Sequence, residues 1–240
     1  MDAAVIHVGA CSCRVADYEW RYVEAHRQAI NRHWTEAVAA NPAFFDGVVL
    51  LTAACRFLPS SAQPSSLELT LFKTRFRNFL YWRHHGFGGQ GVIDAFGAAI
   101  VRASDGAILL VRQRPGNVNE GPYNFPCGFI DPSDIDASRC VDLAGNISRE
   151  VAEEVGLGEA DLMRCPGFLV TRVGVHLAVG VEYRSGLHSE TLAARIRAYL
   201  DADENPEIAE AIFVRSAEQL KSLDLAPHCR QFLPGLLQKA

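Results

Sequence analysis

The sequence predicts a globular chain of the α/β class in two parts, a small α+β region over residues 1–90 and a larger region over residues 91–240. Three observations predict it. Apolar residues alternate along some short stretches and recur at helical spacing along others, and the two kinds of stretch interleave from end to end. Gly86, Gly88, Gly89 and Gly91 punctuate the chain between the two parts. With 49% hydrophobic and 21% charged residues in 240, there is enough apolar surface for a substantial core, which excludes disorder and fibrous repeats.

In chain order, residues 5–10 read as a short strand and residues 17–40 as a helix, with Trp20, Val23, Arg27, Ile30, Trp34 and Val38 near helical spacing. Asn41 and Pro42 stop that helix. Residues 48–57 read as a buried strand, residues 59–66 as a proline- and serine-rich loop, and residues 67–72 as a strand with Leu67, Leu69 and Leu71 on one face. The stretch 73–85 interleaves Lys73, Arg75 and Arg77 with Phe76, Phe79 and Trp82. Such a pattern either grips single-stranded nucleic acid by stacking or forms an amphipathic helix that packs the first part onto the second, and the packing helix is the commoner use.

Past the glycines, two apolar runs, 95–102 and 107–114, flank Asp105-Gly106 and predict a hairpin. A loop follows over residues 115–122, then a helix over residues 141–155 that Gly156 ends. Strands over residues 168–173 and 176–183, a helix over 191–200, a strand over 208–215 and short helices complete the chain.

Several function classes fall away on composition. The longest apolar stretch, residues 47–55, is far short of the roughly 18 to 20 residues of a membrane span, and no basic segment precedes an apolar one at the start. The expectation is a cytoplasmic protein with no membrane partner. A net charge of -5 and a pI of about 5.9 give no whole-molecule attraction to nucleic acid. The seven cysteines are odd in number and scattered, with only Cys11 and Cys13 close in sequence, so reduced thiols are expected.

The chemistry is concentrated in residues 149–157, Arg-Glu-Val-Ala-Glu-Glu-Val-Gly-Leu. At about 100° per residue, Glu150, Glu153 and Glu154 share an arc of about 100°, beside an apolar face made by Ile147, Val151 and Val155. Clustered carboxylates repel one another unless neutralised, and hard oxygen donors at this spacing favour Mg2+ or Mn2+. Arg149 is placed to pair with Glu153 and orient it. A solvated acidic helix face would show the same three glutamates, and periodicity alone does not separate the two readings.

A resemblance does. Residues 149–157 match the second half of the Nudix box, R-E-U-x-E-E-x-G-U with U a bulky aliphatic, at every specified position. Chance would produce this match in a chain of this length on the order of once in fifty thousand. The first half of that box, G-x5-E, is met with departures: Phe125-Pro126-Cys127-Gly128 stands where F-P-G-G is usual, and Asp134 replaces the Glu six positions after Gly128. Fourteen residues lie between Asp134 and Arg149 where the family has seven, a seven-residue insertion that a surface loop absorbs cheaply. Asp is a methylene shorter than Glu, which puts its reach to Arg149 in question.

The chain thus resembles the Nudix hydrolase superfamily over residues 92–220. The resemblance implies an α/β/α sandwich with a mixed sheet, preceded here by the small α+β region, and cleavage of a nucleoside diphosphate linked to another moiety. It implies Mg2+ (or Mn2+) held by Glu150, Glu153 and Glu154, with Arg149 orienting them. On the substrate side it implies Gly128, which lets the backbone approach, Asp134, and Arg112 in the hairpin strand as a phosphate contact. A further carboxylate from a later loop is implied as general base, with Glu207 favoured over Glu204, Glu210 and Glu182. The N-terminal region and long box loop are similar to those of UDP-sugar diphosphatases, so a nucleotide sugar is the expected substrate type. The expected partner is a small nucleotide rather than nucleic acid, with a homodimer open. The insertion and Asp134 support one alternative, a non-catalytic Nudix-fold module that binds a nucleotide or a protein.

Overall fold

The computed structural model describes residues 4–60, 64–89 and 91–238; residues 61–63 of the expected proline- and serine-rich loop lie outside the described residues. The first part contains β1 (Ile6–Val8), β2 (Ala10–Val15), α1 (Arg21–Ala40), β3 (Val48–Leu58), β4 (Ser66–Arg75) and α2 (Phe76–His84). The second contains β5 (Asp94–Arg102), β6 (Ile108–Gln113), β7 (Cys140–Val141), α3 (Leu143–Val155), β8 (Met163–Arg164), β9 (Phe168–Val173) and β10 (His176–Arg184). It closes with α4 (Ser189–Ala202), β11 (Ile208–Val214), α5 (Ala217–Leu220) and α6 (Pro227–Leu237). The expected strand over residues 5–10 is divided at Gly9, and its two pieces join different sheets. The two-residue strands β7 and β8 are too short to carry a periodicity, and the sequence reading did not find them.

The larger sheet has seven strands in the order β1-β9-β10-β5-β6-β11, with β8 also on β10. It is mixed, because β5 and β10 run parallel from His176↔Asp94 to Arg184↔Arg102 while the remaining pairs run antiparallel. Strand alternation sends Ala95, Ala99 and Val101 to one face, where they meet Ile147 and Val151 of α3 and Leu192 and Ile196 of α4. Ala98, Ile100 and Leu110 point to the other face and meet Cys229, Phe232 and Leu233 of α6. The result is an α/β/α sandwich, and burial on both faces explains why β5 reads as an almost unbroken apolar run. Gly97 fixes how low α3 can sit: a Cβ there would overlap the Ile147 side chain.

The second sheet has the order β3-β4-β2-β7, with β2 and β4 parallel. Leu67, Leu69 and Leu71 face the core cluster that also holds Ile147 and Val151, so α3 shares its core with both sheets. Full burial of each such side chain contributes about 1.5–3 kcal/mol. The opposite face of this sheet presents Leu51 and Phe72 to α2, whose Phe76, Phe79, Leu80 and Trp82 are buried, with Trp20 and Trp34 packed alongside. The basic-aromatic segment 73–85 therefore spends its rings on packing. All seven cysteines are free thiols, and no helix among the described residues is long and apolar enough to cross a membrane.

Strand exchange ties the two parts together. β1 pairs with β9 at the edge of the large sheet, from Ile6↔Val170 to Val8↔Phe168. In the reverse direction β7, which lies in the box-loop insertion, pairs with β2 through Cys13↔Val141 and Arg14↔Cys140. The Val15 amide donates to the Arg139 carbonyl at 2.8 Å, and Arg139 pairs with Asp17 at 2.8 Å. Immediately after β7, Asp142 caps α3 by accepting from the Gly145 amide at 3.0 Å, and Gly156 ends the helix in the left-handed region at φ 68°.

Candidate active site

Two segments converge on the acidic side of α3. The loop through Cys127 and Gly128 crosses above the helix, and the Cys127 amide donates to a Glu154 carboxylate oxygen at 3.1 Å. The Gly128 backbone lies so close to Glu150 that a Cβ would overlap its carboxylate. From the far end of the sheet, Glu207 precedes β11 and accepts from Gln113 Nε2 at 2.7 Å. Its backbone carbonyl accepts from the Arg114 amide at 2.9 Å and from Asn117 Nδ2 at 3.1 Å, which anchors the loop.

Arg149 organises the acidic turn. Its guanidinium reaches Asp134 Oδ2 at 3.1 Å, Glu150 Oε1 at 3.2 Å and Glu153 Oε2 at 3.1 Å. Asp134 makes that contact despite its shorter side chain because a single turn of 3-10 helix, Pro132–Asp134, delivers it to α3, where Asn146 Nδ2 also donates to it at 2.8 Å. Burial works against the Arg149 charge, but Asp134, Glu150 and Glu153 together hold its pKa above the usual value.

The acids differ in setting. Glu154 is 5% exposed, and burial first, then Glu207 and Glu150, push its carboxyl well above the usual range. Burial pushes Glu150 up from 4.5 to about 7; Arg149 opposes the shift while Glu153, Glu207 and Asp134 add to it. Glu207 is open to the cleft on one side, yet the protein packed around it and the charge of Glu153 push it up as well. The Glu153 side chain is 59% exposed and is held by Arg149. Among the described residues, no group of three or more acidic, histidine or cysteine side chains stands in an arrangement that could hold a metal ion. The donor chemistry nevertheless fits a divalent cation, since hard carboxylate oxygens that disfavour each other's charge around one cleft are stabilised by positive charge between them.

Glu150, Glu153, Arg149, Gly128 and Glu207 line a cleft of about 770 Å3. The facing wall comes from the first part of the chain through Asn41, Phe44, Phe45 and Phe76, and Phe45 is 81% exposed. Asn41 fastens that wall by donating to the Gly116 carbonyl at 2.8 Å. Arg112 points elsewhere: it pairs with Glu210 at 2.6 Å and lies 5.2 Å over the Tyr123 ring, whose hydroxyl donates to Glu210 at 2.8 Å. Glu182 is engaged by Arg102 at 3.0 Å and Arg184 at 3.4 Å, and Glu204 is exposed in the turn ahead of Glu207. Gln113 and Arg114, which border the cleft, were missed by the sequence reading; strand alternation after Arg112 is the signal that points Gln113 to the opposite face.

Gly128→Ala is the direct probe of the loop–helix contact. The added methyl displaces the Glu150 carboxylate, so hydrolysis should fall about tenfold or more, equivalent to about 1.4 kcal/mol, while the melting temperature changes little. Steady-state rates and a thermal melt on the same preparation check both halves.

The NUDIX domain family model matches residues 93–236. Among solved structures, the MutT protein from Methanosarcina mazei Go1 is 20% identical, with 61% of this chain and 94% of that one covered at a TM-score of 0.41. A NUDIX hydrolase from Nitrosomonas europaea is 18% identical, with 60% and 90% covered at a TM-score of 0.38. The NUDIX domain of Shewanella oneidensis NrtR, complexed with ADP ribose, is 16% identical, with 61% and 87% covered at a TM-score of 0.39. No curated protein matches the chain. The family match spans more than half of the 240 residues and contains the acidic helix and its loop, so the chain belongs to the NUDIX domain family.

Proposed function

We propose that the chain is a Mg2+- or Mn2+-dependent pyrophosphohydrolase that cleaves nucleotide sugars of the UDP-sugar type. The observation that supports the metal-dependent reading is that Glu150, Glu153 and Glu207 line one cleft, with Glu154 buried on the same helix, and that Glu150, Glu154 and Glu207 are each held above the usual carboxylate range. Glu150, Glu153 and Glu154 would hold the cation, which would supply positive charge to neutralise the anhydride and to acidify a water. Arg149 and Asp134 are positioning residues that fix the orientation of those carboxylates.

Glu207 is the general base, because a carboxyl raised above its ordinary value holds a proton better at neutral pH. Water oxygen bonds to phosphorus, its proton passes to Glu207, and the bridging P–O bond breaks, releasing two phosphate esters. Arg114 borders the cleft as a phosphate contact, whereas Arg112 reaches a phosphate only by leaving Glu210. Residues 1–90 supply the second wall through Phe44 and Phe45, and the UDP-sugar reading rests on this region together with the long box loop.

A hydrolysis screen over nucleoside diphosphate derivatives, with and without EDTA, tests the reading. Phosphate esters should appear only with Mg2+ or Mn2+, and a UDP-sugar should show the highest kcat/KM. Full activity in EDTA removes the metal assignment, and a better substrate of another class removes the UDP-sugar one.

A further inference from the structure

The insertion in the box loop is an excursion that closes on itself. It leaves the site directly after Asp134, a bridge between Ile135 and Val141 joins its two ends, and the chain returns to the α3 cap at Asp142. A longer loop leaves the residue at its root more positions to adopt. Asp134 is nevertheless held 3.1 Å from Arg149. A second group that holds it comes from α3 itself. Asn146 is 1% exposed and directs its Nδ2 at two loop acceptors, the Phe129 carbonyl at 3.2 Å and Asp134 Oδ2 at 2.8 Å. Its Oδ1 is buried and has no hydrogen-bond partner among the described residues. Leu143 and Ile147 beside it are part of the core. As packing, Asn146 is a poor residue, because a buried oxygen without a donor costs stability that an apolar side chain of the same branched shape would not.

We propose that Asn146 is a positioning residue, a clamp that fixes both ends of residues 129–134 on α3 and so sets the geometry of the acidic turn. Arg149 and Glu150 lie three and four residues further on, one turn along the same side of the helix. At one end of the clamp, Asp134 is presented to Arg149, which in turn holds Glu150 at 3.2 Å and Glu153 at 3.1 Å. At the other, the bond to Phe129 anchors the residue after Gly128, whose backbone lies against the Glu150 carboxylate. The amide is neutral, so it adds a donor to Asp134 without repelling the guanidinium that shares the same oxygen. Asp134 is thereby held from two directions, which offsets both its short side chain and the excursion that starts beside it. The role rests on the reading of the acidic turn as the reacting centre.

Asn146→Leu keeps the branched shape and removes both donors. In metal-free protein, the Asp134 and Ile135 amides, which donate to the Asp131 and Pro132 carbonyls, should exchange at least about tenfold faster by NMR, while the amides of residues 150–155 keep their wild-type rates. With a cleaved nucleoside diphosphate derivative, kcat should fall at least about tenfold and KM should stay within about twofold. In an Asp134→Asn background the same substitution should cost less than about threefold more, because the two side chains act through one contact. Asn146→Ala repeats each measurement if Asn146→Leu does not fold. Unchanged exchange at Asp134 and Ile135 overturns the clamp, and so does a loosened loop with undiminished kcat. Faster exchange spread equally over the loop and α3 assigns Asn146 to general stability and also overturns it, as do fully additive losses with Asp134→Asn. The two readings fail separately: a loop loosened by Asn146→Leu in a protein that hydrolyses no anhydride defeats the proposed activity alone, and metal-dependent hydrolysis indifferent to Asn146 defeats the clamp alone.

Discussion

Glu154→Gln should lower the rate of anhydride hydrolysis by at least about a hundredfold, the scale expected when one preorganised charge-stabilising group is lost. The amide keeps the shape of the side chain, and its carbonyl oxygen can still accept from the Cys127 amide, so the change is confined to charge. Glu154 is almost fully buried and its ionised form is disfavoured in the folded protein, so the substitution should leave the melting temperature unchanged or raise it. Glu153→Gln is the internal comparison and should cost less, because that carboxylate is largely in solvent and bound mainly to Arg149. Rates and melts of the two variants together check the expectation, and undiminished turnover in Glu154→Gln removes the acidic turn from the mechanism.

Metal-free protein should lose stability as pH rises from about 4.5 to about 7, and Glu150→Gln should flatten that loss. The direction follows from proton counting. The Glu150 pKa is 4.5 in the unfolded chain and about 7 in the fold, so across that interval the folded state binds more protons and folding weakens as they are removed. One group shifted this far amounts to about 3 kcal/mol between the two ends of the window. Urea midpoints at several pH values in EDTA, for wild type and Glu150→Gln, measure the difference, and parallel curves would reject the origin in Glu150. Adding Mg2+ above pH 7 should restore stability to the wild type in proportion to the logarithm of its concentration.

How much of this was legible depends on whether the cause was local. The direction of the three glutamates and the i,i+4 reach of Arg149 to Glu153 follow from helix geometry, and Gly156 and the Asp105-Gly106 hairpin follow from turn chemistry. The Leu67, Leu69 and Leu71 face was readable for the same reason. Burial was not. Glu150 and Glu154 are covered and Glu153 is open because a loop some twenty-five residues earlier crosses two of them, and nothing within the helix encodes that. Arg112 shows the same limit, since its partner Glu210 comes from a strand joined to it only in the folded sheet. The cleft wall of Phe44 and Phe45 follows a helix stop that was read correctly, but adjacent aromatic residues do not reveal what they face.

The exchange of β1 and β7 across residue 90 has a consequence for anyone who would isolate the catalytic half. A fragment beginning there would leave β9 with a bare row of amide and carbonyl groups around Leu169 and Val170, which is a template for pairing with other copies. It would also strip the partner from the short strand that leads into the capped start of α3. Amide hydrogen exchange should accordingly show the two halves opening in a single cooperative event, and the shortened fragment should aggregate rather than fold.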